Sequence, residues 1–306
     1  NCGPRLTILD SMPYDRERTS MEGFPMCKLC EREYKTSVNR RYHAQPVCCH
    51  DDGPELYIID KEGKRLELGE NKRKSDDAAI KYSRGLLAYG GILAIKGIGG
   101  FHLACDAANE AAVSRLRNLK NRPVKPFAVM MKDIDVIRRE CSVTEQEEKV
   151  LTGMQKPIAL LRKSRNGEAM IAKSVAPSNP NIGVMLPYTP LHMLLFRYPV
   201  DENTGDEVMP DALVMTSGNP SGAPICMDDD AAIRYLTPMC DAILSNNRKI
   251  RIRTDDSVMS YYQDKPYMIR RSRGYAPLPI ILPFSGRKRV LAVGAELKNT
   301  FCLAEE

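Results

Sequence analysis

With 306 residues, 43% of them hydrophobic and 27% charged, the chain has the length of about two domains and enough apolar material for a large core. That balance excludes a mostly disordered chain, and the lack of any run of about 18 uninterrupted apolar residues excludes a transmembrane helix. Lys and Arg (45) exceed Asp and Glu (39) by only six, which permits phosphate or nucleic-acid ligands without demanding them.

Residues 1–55 hold five of the ten cysteines, many turn signals and little periodicity. The later cysteines stand alone in apolar contexts and read as reduced core residues. No secretory signal is visible, so a cytoplasmic location is expected, where clustered cysteines point to metal before disulfide. Cys27-x2-Cys30 is a zinc-type knuckle, and 18 residues on comes Cys48-Cys49-His50-Asp51-Asp52. Two such knuckles aim four ligands at one tetrahedral ion. Counted from Cys49, however, the fourth place falls on Asp52 rather than on a cysteine. Asp52, His50, Cys48 and His43 are all chemically able to complete a shell begun by Cys27, Cys30 and Cys49, and a metal-free Cys-rich loop is the plainer alternative. Cys2-Gly3-Pro4 reads as the end of a further knuckle.

Residues 56–75, rich in Lys, Arg, Glu and Gly, read as a linker or exposed hairpin. From about 76 to 285 the pattern becomes an α/β domain with a mixed sheet. A helix is expected from Asp77 to Tyr89 with Gly90-Gly91 as its stop, then a buried strand Ile92–Lys96. Asn109 caps a helix with Ala112, Val113, Leu116 and Leu119 on its apolar face. Strands are expected at Phe127–Met131, Ile158–Leu161 and Ala212–Thr216, with helices from Thr189-Pro190 to Arg197 and from Asp228 to Leu236. Short strands follow near Ile243 and at Lys249–Arg253, Ser257–Tyr262 and Tyr267–Arg271. Residues 286–306 open a further apolar, β-prone segment.

Neither G-x-x-x-x-G-K-[ST] nor G-x-G-x-x-G occurs. Instead a basic cluster (Arg115, Arg117, Lys120, Arg122, Lys125) ends a helix, where favourable charge against the helix dipole is the ordinary explanation. Pro123 and Pro126 stiffen the loop that follows, and fixed cations suit a polyphosphate. Thr216-Ser217-Gly218-Asn219, directly after a strand, offers small polar donors to phosphate oxygens, though such words are also common turns. Asp255 and Asp256 are expected to salt-bridge Arg251 or Arg253, or to help hold magnesium. His102 and His192 sit in apolar words and read first as core histidines, with His102 the better candidate for chemistry.

Lys120-x-Arg122 with Ser217-x-Asn219 resembles the K-x-R and S-x-N signatures of the YrdC-like fold. The longer words Pro13-Tyr14-Asp15-Arg16, Arg40 to Pro46, Lys96 to Asp106, Leu186 to His192 and Arg271 to Pro277 resemble the HypF family of carbamoyltransferases, which act in nickel–iron hydrogenase maturation. The resemblance implies a YrdC-like twisted mixed sheet with flanking helices, preceded by a small zinc-finger-like module. It also implies an internal fragment, lacking an acylphosphatase-like domain before it and most of a transferase domain after it. The activity implied is formation of carbamoyl adenylate from carbamate and ATP, with Mg2+ and Zn2+ as cofactors and a HypE-like maturation protein as carbamoyl acceptor. Lys120 and Arg122 would lie at the phosphates with Lys125 in support. Thr216, Ser217 and Asn219 would lie at the α-phosphate or ribose, and Lys96 and Arg271 at the carbamate or adenylate end. Threonylcarbamoyl-adenylate synthesis for tRNA modification and a zinc-supported nucleic-acid-binding module remain open; for the latter, the chain has no Trp, and aromatic-basic interleaving is confined to residues 14–42.

Overall fold

Side-chain caps set where the helices begin. Asn109 accepts from the Ala112 amide, Thr189 from His192 and Asp228 from Ala231, each satisfying an amide without a partner inside its own helix. The computed structural model describes residues 7–164, 170–199, 209–263, 265–276, 278, 280, 281, 289–294 and 301–304. Cys2 lies outside them.

The helices are α1 (Lys28–Lys35), α2 (Lys72–Ala88), α3 (Glu110–Leu119), α4 (Ile134–Glu140), α5 (Glu145–Thr152), α6 (Pro190–Arg197) and α7 (Asp229–Leu236). The strands β1 (Leu56–Ile59), β2 (Leu93–Lys96), β3 (Phe101–Asp106), β4 (Ala128–Met131) and β5 (Ile158–Arg162) are followed by β6 (Asn181–Met185), β7 (Ala212–Ser217), β8 (Ala242–Asn246), β9 (Val258–Tyr262) and β10 (Lys265–Arg270). They form one mixed sheet in the order β1-β8-β2-β3-β7-β4-β6-β5-β9-β10. One face packs against apolar residues of α3, α4, α5 and α7, among them Val113, Leu116, Ile137, Leu151 and Leu236. The other packs against Ala79 and Leu87 of α2 and Leu195 and Phe196 of α6. Alternate residues of the central strands therefore enter different cores. This is an α/β architecture with helices on both faces of a mixed sheet, with the cysteine module before it.

Several expectations change. Leu56–Ile59, expected in the linker, is edge strand β1 with Ile58 and Ile59 buried, paired antiparallel to β8. The charged residues after it do turn back as a hairpin, with Asp60 N donating to Lys64 O and Leu66 N to Ile58 O. Helix α2 starts at Lys72 because Asn71 accepts from the Lys74 amide. Residues 249–253 are not a strand: the Arg251 amide donates to Thr7 O, outside the sheet. The cysteine module is fastened to α2 by Lys72 Nζ donating to Gly53 O (2.5 Å), and β1 is fastened to α2 by Leu56 N donating to Asp76 Oδ1 (2.6 Å). One compact unit runs to Tyr275 and a second begins at Ala276. Within the second, β11 (Val290–Val293) pairs antiparallel with β12 (Phe301–Ala304).

Candidate functional site

Strand directions bring the two polar loops together. β4 runs antiparallel to β7, with Val129 opposite Val214 and Met131 opposite Ala212. The chain entering β4 and the chain leaving β7 therefore emerge at the same edge. β3 is also antiparallel to β7, with His102 opposite Ser217, so the Gly97–Gly100 turn joins them there.

The entry to β4 is shaped by the end of α3. Asn121 N donates to Asn118 O and Arg122 N to Arg117 O, and Asn121 is left-handed at φ 48°. This is a Schellman stop, and Asn is one of the few residues besides Gly that enter that conformation at little cost. The K-x-R word is thus a helix terminus: Lys120 is the cap, Asn121 the reversal, and Arg122 the first residue beyond it. Arg117, one turn back and buried, donates to the carbonyls of Arg122 (2.7 Å), Lys125 (3.1 Å) and Val175 (3.1 Å). Its guanidinium buttresses the loop, beyond what the two prolines do.

Across the gap, Lys120 Nζ donates to Ser217 O (2.8 Å) and Asn219 O (2.9 Å). Charged hydrogen bonds of this kind are each worth about 1.5–3 kcal/mol. Arg122 reaches Thr216 Oγ1 at 3.4 Å and donates to Pro126 O at 2.6 Å. Ser217 Oγ donates to Asn219 Oδ1 (2.7 Å), while Asn219 Nδ2 donates to Ala223 O (2.6 Å). Gly218 N donates to Phe101 O, and a Cβ on Gly218 would come within 2.8 Å of that oxygen. The S-x-N middle residue is small because β3's backbone lies against it.

The corner is electropositive. Burial, then the charges of Arg117 and Arg270, push Arg122 down to about 10. A cation whose pKa is depressed by neighbouring cations favours an anion beside it. Beside Arg271, which the resemblance singles out, alternation in β10 turns Arg270 inward with Met268. Lys125 is exposed and lends its carbonyl to Arg117 and Arg122. Arg271 donates to Tyr275 O. Lys96 is buried on the opposite face from His102, donating to Asp229 Oδ1 (3.0 Å) and Asn246 O (2.7 Å); those bonds join it to α7 and β8 rather than to the Lys120 corner.

Asp256 behaves otherwise than expected. Asp256 bridges Arg273 (2.7 Å) and His102 Nε2 (3.0 Å), while Arg251 pairs with Asp10 and Arg253 donates to Ile225 O. The β9–β10 hairpin returns Arg273 alongside Asp256, closer than the cations before it. Burial opposes ionisation of Asp256, but Arg273 and His102 outweigh it and hold the carboxyl well below the usual range. Arg273 lies 3.5 Å from the Tyr188 ring centroid, and His192 meets that ring edge-on. His192 is fully buried with both ring nitrogens unpartnered.

In the cysteine module Cys27, Cys30, Cys49 and Asp52 present ligand atoms all within 4.8 Å of one another. Cys27 caps α1, its sulfur accepting from Cys30 N. The Cys27 and Cys49 sulfurs lie 3.8 Å apart, the edge of a tetrahedron whose ion sits about 2.3 Å from each thiolate. The donor set fits zinc. Of the other candidates, Cys48 Sγ would meet a Cβ placed on Gly53 at 2.8 Å, His50 Nδ1 faces Asp76, and His43 stacks on Tyr34. Burial pushes the Cys30 thiol up, with Asp52 and the other thiols adding to it. The basic words here are spent internally: Arg16 donates to Gln45, Val47 and Phe24 carbonyls, and Arg41 to Glu33.

A YrdC-like sheet with a K-x-R/S-x-N corner and a cysteine finger defines the class. The Sua5/YciO/YrdC family model, described as "Telomere recombination", matches residues 85–272, so the chain belongs to that family. The model described as "HypF finger" matches residues 26–59. The chain is 41% identical over 307 residues to carbamoyltransferase HypF of Rhodobacter capsulatus (99% of this chain, 38% of that protein) and 40% identical over 306 residues to that of Synechocystis (100% and 37%). It therefore spans under two-fifths of the length of these curated relatives. Full-length HypF in its phosphate- and nucleotide-bound form superposes with a TM-score of 0.85 at 44% identity, covering 100% of this chain and 37% of that one. T.kodakarensis HypF gives 0.87 at 43%, with the same coverage. P. abyssi Sua5 complexed with L-threonine (TM-score 0.53, 18% identity, 63% of this chain and 54% of that one) shares the fold.

Proposed function

We propose that this chain forms carbamoyl adenylate from carbamate and ATP, one step of carbamoyl transfer in nickel–iron hydrogenase maturation. The observation that carries the reading is Lys120 seated on the Ser217 and Asn219 carbonyls, which makes one cationic corner of two loops distant in sequence. Likeness to HypF over the whole chain supplies the chemistry. A carbamate oxygen attacks the α-phosphorus; its bond to the bridging oxygen breaks, and pyrophosphate departs with that electron pair. Fixed cations and alignment do most of this work, because little covalent help is needed. Lys120 and Arg122 take the phosphates, with Lys125 at the loop's outer face. Thr216, Ser217 and Asn219 serve the α-phosphate or ribose, and Arg271 the carbamate or adenylate end; Lys96, bonded to Asp229 and Asn246, has no part at this corner. Magnesium bound with the nucleotide would supply charge neutralisation at the phosphates. Zinc at Cys27, Cys30 and Cys49 is structural. The domains are read as a finger module to residue 55 and a YrdC-like domain before the transferase segment. Release of carbamate from carbamoyl phosphate and delivery to a HypE-like acceptor are assigned to acylphosphatase-like and transferase domains, all in the cytoplasm.

Exchange of labelled pyrophosphate into ATP tests the reading. Exchange stimulated by carbamate supports it. Stimulation only by threonine with bicarbonate, or only by RNA, assigns the corner to another substrate.

A further inference from the structure

The carboxylate at the fourth knuckle position does something a cysteine there could not. Asp52 Oδ2 accepts from the Cys27 amide at 2.7 Å and Oδ1 from the Cys49 amide at 2.6 Å. These are the backbone groups of the leading cysteine in each knuckle, and the carboxylate joins them across 25 and 3 residues of chain. Such bonds from amides to a carboxylate are short and strong. A carboxylate oxygen has two acceptor directions, so each keeps one after receiving its amide. Gly53 N donates to Cys49 O, and a Cβ on Gly53 would come within 2.7 Å of that carbonyl, which pins the turn carrying Asp52.

From this geometry we infer that Asp52 is a clasp: it completes a three-thiolate, one-carboxylate metal centre, and it keeps the two knuckles closed when the metal leaves. A four-thiolate finger has no such bond and depends on its ion for shape. The Asp52 finger holds its ligands within reach of one another before metal arrives, so the ion can be removed and returned without unfolding the module. A carboxylate is also the harder ligand, so the centre releases zinc more readily than four thiolates do. The inference rests on the metal reading proposed above.

The test uses the 306-residue chain and its D52C and D52A variants, with Co2+ as the probe. The wild type is expected to bind one Co2+ with thiolate charge-transfer absorption at about three quarters of the D52C intensity, in the ratio of three sulfurs to four. After chelation, hydrogen exchange at the Cys27 and Cys49 amides should be at least about tenfold slower in the wild type than in D52C or D52A, as bonds that persist without metal require. Equal charge-transfer intensity in wild type and D52C would give the fourth place to another sulfur and overturn Asp52 as ligand. Equal exchange in all three stripped proteins would overturn the clasp. Failure of both wild type and D52C to take up Co2+ would remove the metal reading itself, a result distinct from either.

Discussion

The residue-120 corner and the cysteine finger each crowd groups of one sign, but they tolerate it differently. At the corner, Lys120, Arg122 and Arg117 are held by carbonyl oxygens: Ser217 and Asn219 for the first, Pro126 for the second, and Arg122, Lys125 and Val175 for the third. Neutral dipoles hold these cations in place at the corner. In the finger, Cys27, Cys30, Cys49 and Asp52 converge with two amides as their hydrogen-bonded counterparts. On the proposed reading, the first region is preorganised by its fold for an anionic ligand that comes and goes, and the second for a cation.

Replacing a residue in each region should break the comparison most visibly. Lys120→Ala removes a charge and leaves two loop carbonyls without their donor, so carbamate-dependent exchange should fall by about 10²–10³-fold. Cys49→Ser should abolish stoichiometric zinc by elemental analysis yet leave exchange within about threefold, since the corner is held by carbonyls. Equal losses of exchange in the two variants would mean that the regions act as one.

Acid sharpens the contrast from the sheet side. Burial, then the neighbouring His102, pushes His192 down from 6.5 to about 3. Above pH 6.5 the ring is neutral whether the chain is folded or not. Below it, the unfolded chain takes up a proton that the fold refuses, so stability falls by about 1.4 kcal/mol per pH unit as pH drops toward 3. Between pH 6.5 and 5, urea unfolding should show the wild type losing about 2 kcal/mol more than His192→Phe. Equal losses would show that His192 protonates within the fold.

The smallest effect expected is at the helix stop. Asn121→Val forces a β-branched residue into the left-handed region that Asn121 occupies at φ 48° and should cost about 1–2 kcal/mol. Asn121→Gly should be within about 0.5 kcal/mol of wild type. Thermal unfolding of the pair measures whether the K-x-R geometry depends on that reversal.

Much of this was legible in the sequence where local chemistry decides. Asn109, Thr189 and Asp228 announced their helices because a cap is a local event. K-x-R and S-x-N named the corner, and C-x2-C the finger. What was not legible depends on partners distant in sequence. Arg117 looked like one more surface cation until Val175 and the Lys125 carbonyl came within reach. Asp256 chose Arg273, 17 residues on, over Arg251 and Arg253 because the β9–β10 hairpin returned it. Leu56–Ile59 was masked by the charged residues after it, although two isoleucines sufficed for an edge strand. Among four candidates for the last finger ligand, composition alone could not choose, since the choice lies in which side chain the Gly53 turn points at the three thiols.

The account stands on a single nucleotide site made by two loops. A crystal structure of the chain with magnesium and an ATP analogue bearing a methylene bridge between the α- and β-phosphates tests it directly. The phosphates are expected between Lys120 and Arg122 on one side and Ser217 and Asn219 on the other, within hydrogen-bond distance of both. An analogue bound elsewhere, or no binding at millimolar concentration, would contradict the account.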